Sequence, residues 1–188
     1  MAEMDEAILK RVLPHSIEAE QSVIGAMLMD REAITIASEQ INGDDFYGKQ
    51  YGILFDTMVE LNDEGKPVDL ITLQDRLKEK AVPPEIYSLE YIRDIMETVP
   101  TSANIKYYAN IVAEKSVLRK LIKVNEEIAN NCYSQKETLE VLLEETEKKV
   151  FDIAQKRNNG DFVPIRQVVM NAMNMLSLIH ISEPTRPY

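Results

Sequence analysis

The stretch nearest to known chemistry is Gly43-Asp-Asp-Phe-Tyr-Gly48-Lys49-Gln50. Its GxxxxGK spacing is that of a loop whose backbone N–H groups cradle phosphates while the lysine reaches the outer ones. The following position, where a Ser or Thr hydroxyl would hold magnesium, is Gln50, and Asp44 and Asp45 would face phosphate charge. Residues 33–40 ahead of it read as helix, whereas such a loop follows a strand. The match is read as coincidence. The two histidines, His15 and His180, have no partners at metal-ligand spacing and join no Ser/His/Asp set. The adjacent pairs Glu126-Glu127 and Glu144-Glu145 are explained by solvation of helix faces better than by acid–base work. Lys115, Arg119, Lys120 and Lys123 form the one dense basic group, but their helix also carries Glu114, Glu126 and Glu127, so a solvated face is the reading. The sequence offers no catalytic residue, no cofactor-binding residue and no metal ligand.

What it does offer is a pair of long helices. Residues 104–130 contain neither Gly nor Pro, and Val117, Leu121, Val124 and Ile128 recur at intervals of 4, 3 and 4. Ile111, Leu118, Ile122 and Ala129 fill the adjacent row, giving a wide apolar face at helical period. At 1.5 Å per residue such a helix is about 40 Å long, more than a small domain covers. Residues 137–157 place Leu139, Leu142, Leu143, Thr146, Val150 and Ile153 on a similar face. Ser134 and Glu137 stand at capping-box spacing for that second helix. Residues 131–136 are short enough to turn the chain back, so the two runs form an antiparallel hairpin. Two exposed apolar faces on a projecting hairpin predict docking on a second copy; the alternative is that the faces only pack on their own subunit. The interface residues are then Ile111, Val117, Leu118, Leu121, Val124, Ile128, Leu139, Leu142, Thr146, Val150 and Ile153.

Bulk properties narrow the class. The 188 residues suffice for one domain and an extension, and 45% apolar content can build a core. A formal net charge of −11 disfavours strong binding to nucleic acid phosphates. One cysteine, Cys132, excludes an internal disulfide framework and fits a reducing compartment; at the hairpin turn it reads as a small packing residue. No run reaches membrane-spanning length and the N-terminus lacks a signal-peptide pattern, so a cytoplasmic protein with no membrane partner is expected.

In chain order, residues 1–14 read as a flexible arm and 15–103 as a globular helical subdomain. Ser16 caps a helix to about Met29, Asp30 one to about Gln40, and Asn42-Gly43 makes a turn. A third helix carries Tyr51, Leu54, Phe55, Met58 and Leu61 and ends before Gly65 and Pro67. Residues 68–71 read as an extended connector, with Thr72 and Asp75 boxing the next helix. Ser88 caps another to about Thr98. Residues 104–157 are the hairpin, and 158–175 form a linker with a helix whose stripe is Ile165, Val168, Ala172 and Met173. Nothing reads as a sheet: the fold class is all-α, a bundle of short helices followed by a long antiparallel hairpin and a linker helix.

Several stretches together resemble the N-terminal domain of bacterial DnaB-like replicative helicases. They are SIEAEQSVIG at 16–25, DFY at 45–47, GKPVDLIT at 65–72, VPTSANIKYYANIV at 99–112 and EKSVLR at 114–119. One departure is 81–88, where the family often has a Gly-Gly turn. The resemblance implies a collar module: hairpins pair between subunits, the pairs build the N-terminal ring of a hexamer, and primase, through its C-terminal domain, and a helicase loader dock there. ATP and Mg2+ would belong to a RecA-like ATPase domain beyond the linker, which this sequence lacks. The 158–175 segment is similar to the linker helix that packs on a neighbouring motor domain. Residues 176–188 resemble a translated sequencing adapter, so the genuine chain is expected to stop near Met175. The expectation is a non-enzymatic piece of an ATP-driven DNA helicase; the alternative is a free-standing helical dimerisation or adaptor domain unrelated to replication.

Overall fold

The computed structural model describes residues 12–99, 101–134, 136 and 138–158. The linker stripe Ile165, Val168, Ala172 and Met173, the tail 176–188 and most of the arm lie outside them. The chain divides into two units, Met1–Ile153 and Ala154–Tyr188, and the packing below is internal to the first. All regular elements among the described residues are helical. In order they are α1 (Ile17–Met29), α2 (Arg31–Ser38), a 3-10 turn (Gly43–Asp45), α3 (Lys49–Asp63), α4 (Leu70–Glu79), α5 (Leu89–Glu97), a second 3-10 turn (Ser102–Asn104), α6 (Ile105–Ser134) and α7 (Leu139–Asn158).

α1 is the axle of the body. It packs against α2, α3, α5 and α6, and Ala19, Val23, Ile24, Ala26 and Met27 are buried in succession rather than on one stripe. Burial on most sides is what a central helix needs. Gly25 faces α5, where a side chain would collide with Val99 and come within 3.0 Å of the Ile95 carbonyl. Its lack of Cβ sets how closely α1 and α5 approach. Ser16 and Asp30 cap as expected: Ser16 Oγ accepts from the Ala19 N–H at 3.3 Å and Asp30 Oδ1 from the Glu32 N–H at 2.9 Å. Ser88 caps α5 through the Tyr91 N–H at 3.2 Å.

One capping expectation and one helix end are corrected. Residues 70 and 71 are helical, not extended, because Asp69 caps α4, accepting from the Ile71 and Thr72 N–H groups at 2.9 Å each, while Thr72 Oγ1 accepts from the Asp69 N–H at 3.0 Å. Thr72 is thus the third residue of a box one turn earlier, and Asp75 has no part in it. α6 runs to Ser134, beyond the expected end at residue 130. The Ser134 hydroxyl donates to the Asn131 carbonyl at 2.9 Å; Glu137, its expected capping partner, lies outside the described residues. At the start of α7 the Leu142 N–H donates to the Thr138 carbonyl at 3.1 Å. Cys132 is helical and exposed, not a packing residue.

The loop that departs from the Gly-Gly pattern begins at Ala81, whose φ is +53°. It closes α4 as a left-handed cap, with the Val82 N–H reaching the Leu77 carbonyl at 3.4 Å and the Ala81 N–H reaching Lys78 at 3.1 Å. A Cβ in that conformation costs roughly 1–2 kcal/mol, while glycine's freedom in the unfolded chain returns roughly 0.4–1. Ala81→Gly is therefore expected to raise stability by about 0.5–1 kcal/mol, read from the urea midpoint at constant slope.

Candidate docking interface

α6 has two lives. Its first half belongs to the body: Ile105, Ala109, Val112 and Ser116 are buried at intervals of 4, 3 and 4. From Val117 onward none of its described residues is fully buried. Ile111 packs at the edge of the body core, while Val117, Leu121, Val124 and Ile128 are half-buried and Leu118 is 44% exposed.

α7 returns antiparallel, pinned by Lys149 Nζ to Glu127 Oε1 at 2.9 Å, with Glu145 at 3.8 Å. These acids are paired across and along the hairpin rather than merely solvated. On α7, Leu142, Thr146, Lys149 and Ile153 are half-buried. At about 100° per residue, Leu139, Leu143 and Val150 form the row beside them, and these are 69%, 60% and 43% exposed. Val141 and Phe151, at 43% and 61%, and Tyr133 near the turn, at 88%, add apolar surface that periodicity had not singled out. They fall off the single stripe that a period of 3.6 selects. The expected interface residues thus split between an inner, half-buried set and an outer, exposed one.

Asp45 holds the root of the hairpin. It is 7% exposed and sits in the 3-10 turn. The turn exists because Asn42 Oδ1 accepts from the Asp44 N–H at 3.1 Å and Asp45 Oδ2 from the Asn42 N–H at 3.1 Å. Gly43 belongs here, since a side chain would collide with the Asp56 carboxylate that accepts its N–H at 2.9 Å. Asp45 Oδ1 accepts from Ser116 Oγ at 2.6 Å and from Lys120 Nζ at 2.5 Å. Arg119 donates to the Asp45 carbonyl at 2.5 Å and to the Pro14 carbonyl at 2.7 Å. The expectation of a solvated basic face is thus corrected for Arg119 and Lys120: both spend their charge on the body. Burial alone raises the Asp45 carboxyl, but the hydrogen bonds from Lys120, Ser116 and the Asn42 N–H outweigh it, and the group is held below the ordinary aspartate value.

The phosphate-like loop serves the same junction. The Tyr47 and Gly48 N–H groups donate to the buried Glu20 carboxylate at 2.8 and 3.0 Å. Its backbone donors at the start of α3 thus bind an anion that the chain itself supplies. Phe46 enters the core against Phe55, centroids 5.2 Å apart. Tyr47 stacks on His15 at 4.2 Å. Among the described residues no three-member His/Cys/Asp/Glu cluster fit for a metal occurs, and no helix is long and apolar enough to cross a membrane.

The segments quoted from the sequence (16–25, 45–47, 114–119) therefore converge on one junction. The sequence model of the DnaB-like helicase N terminal domain matches residues 12–114. The chain belongs to this family. It is 38% identical over 177 residues to the replicative DNA helicase DnaC of Bacillus subtilis (strain 168), covering 94% of this chain and 39% of that protein. It is 37% identical over the same length to the replicative DNA helicase DnaB of Geobacillus stearothermophilus. The chain thus spans about two-fifths of these relatives. The crystal structure of the DnaB helicase N-terminal domain from Mycobacterium tuberculosis superposes with a TM-score of 0.71 at 30% identity, covering 75% of this chain and 99% of that one. Two more distant structures share the fold, both described with their interactions with primase: a DnaB N-terminal domain from Helicobacter pylori (TM-score 0.55, 21% identity, 62% of this chain and 90% of that one) and a DnaB-like replicative helicase (0.61, 19%, 92% and 36%).

The depressed Asp45 carboxyl fixes a sign. Stability from this group is fully present above the unfolded value of about 3.9 and is lost as pH falls through the lower folded value. Asp45→Asn is expected to cost about 1–3 kcal/mol at pH 7, moderated because the Lys120 side chain is 40% exposed. The gap between wild type and variant in urea unfolding is expected to narrow as pH drops below about 4. A gap independent of pH from 7 to 3 would refute the assignment. Glu64, drawn down to about 2 by Arg76 and Lys66, is common to both proteins and cancels.

Proposed function

We infer that this chain is a non-catalytic assembly and docking module of a replicative DNA helicase. Hairpins of two copies pair through the α6–α7 faces, and the pairs build the N-terminal collar of a hexamer. The observation that carries this reading is that seven of the fourteen exposed large hydrophobics among the described residues lie on the hairpin beyond Ser116. Leu118, Tyr133, Leu139, Val141, Leu143, Val150 and Phe151, between 43% and 88% exposed, all sit on the hairpin. The exposed row Leu139, Leu143 and Val150 lies along one side of α7, and apolar surface of this kind marks a protein–protein contact. The collar is also the site offered to primase and to a loader, a reading supported by the fold shared with helicase structures described with primase. The whole protein would couple ATP hydrolysis to DNA unwinding through a motor domain C-terminal to the linker and work in the cytoplasm.

Leu121→Asp combined with Val150→Asp is expected to reduce the mass seen by light scattering to that of a single chain, with helical circular dichroism retained. An unchanged mass refutes the interface. Immobilised wild-type chain is expected to retain a primase C-terminal domain. Failure to retain it favours an adaptor unrelated to replication.

A further inference from the structure

The apolar stripe that seats α6 on the body ends at Ser116. The turn after it carries the polar cluster at Asp45. Ser116 Oγ and Lys120 Nζ both donate to Asp45 Oδ1, and Arg119 donates to the Asp45 carbonyl. Arg119 also holds the Pro14 carbonyl and lies 5.9 Å from the Tyr47 ring centroid, the ring on which His15 stacks. One stretch of helix therefore grips the segment before α1 and the turn before α3 together.

These contacts do what the stripe cannot. Apolar burial is non-directional, so a tilt of a few degrees changes it little. Hydrogen bonds fix angles. Their acceptor is itself immobile, because Asp45 Oδ2 is tied to the Asn42 N–H and the neighbouring Gly43 N–H to Asp56.

We propose that Asp45, Ser116, Arg119 and Lys120 form an orientation lock that sets the tilt of the hairpin on the body. Releasing it leaves body and hairpin folded but lets the hairpin swing. Its consequence for assembly rests on the self-pairing proposed above; the lock itself does not.

The test uses the full chain and its own Cys132, exposed near the far end of α6. Cys132 and a second cysteine at the exposed Glu32 of α2 (Glu32→Cys) carry nitroxide labels. Labelled chain is diluted with unlabelled chain, so that only distances within one molecule are read. From Lys120 to Cys132 the lever is about 18 Å, so a tilt of about 15° displaces the label by about 5 Å. The locked protein is expected to give one narrow distance distribution. Lys120→Met and Asp45→Asn are each expected to broaden it and shift its mean by about 5 Å with unchanged helical circular dichroism. Arg119→Lys, which keeps the charge but loses the fork spanning two carbonyls, is expected to broaden it as well. A distribution unchanged in Lys120→Met overturns the lock, whatever the melting temperature, because that substitution removes a half-exposed side chain and leaves Asp45 its Ser116 and Asn42 donors. The Leu121→Asp, Val150→Asp mass measurement fails or succeeds independently of this distance.

Discussion

A buried carboxylate at the point where a long helix leaves its domain is the constraint on which the rest of this molecule depends. α6 is too long for the body to cover, so its packing must change character along its length. The change falls at Ser116, and Asp45 meets it there with two side-chain donors from α6 on a single oxygen. Leaving such a group unpaired would cost far more than its bonds contribute net. The turn that carries it is therefore fixed by its own capping box, and the hairpin is fixed to the turn.

Glu20 shows the same economy of charge at the other end of the DFY segment. The loop between Gly43 and Lys49 has the spacing of a phosphate cradle because both tasks need the same thing: backbone N–H groups converging at the start of a helix. Here the anion is internal. Three consecutive residues then divide the labour: Asp45 holds the hairpin, Phe46 fills the core, and Tyr47 gives its N–H to Glu20 and its ring to His15. Placing those few side chains within one turn ties α1, α3 and α6 to a common point.

Local signals were readable in the sequence wherever the partner lies a few residues away. The caps at Ser16, Asp30 and Ser88 and the stop at Gly65 depend on neighbours in sequence, and they stand where expected. The start of α4 was misplaced because Val-Asp-Leu-Ile alternates like a strand, although Asp69 is a better cap than Thr72. The end of α6 was misplaced because Asn131 to Ser134 look like turn residues but continue the helix. Arg119 and Lys120 were misjudged for a different reason. Their acceptor lies 74 and 75 residues back in the chain, and nothing in a helical period reveals a partner at that distance. The family model ends at residue 114, just before the last buried position of α6, so its matched span holds the body and Asp45 but not Ser116, Arg119 or Lys120.

The division of α6 also imposes an order on synthesis. A ribosome delivers α1 through α5 first, yet α1 stays uncovered on one side until residues 105–116 have emerged to fill it. Nascent domains fold as units from the N-terminus, so the body completes its core only when the base of α6 arrives. The exposed apolar residues of α7, from Leu139 to Phe151, are polymerised after that. A growing chain thus never displays its stickiest surface before the platform beneath it can be finished, which limits premature clumping on crowded polysomes.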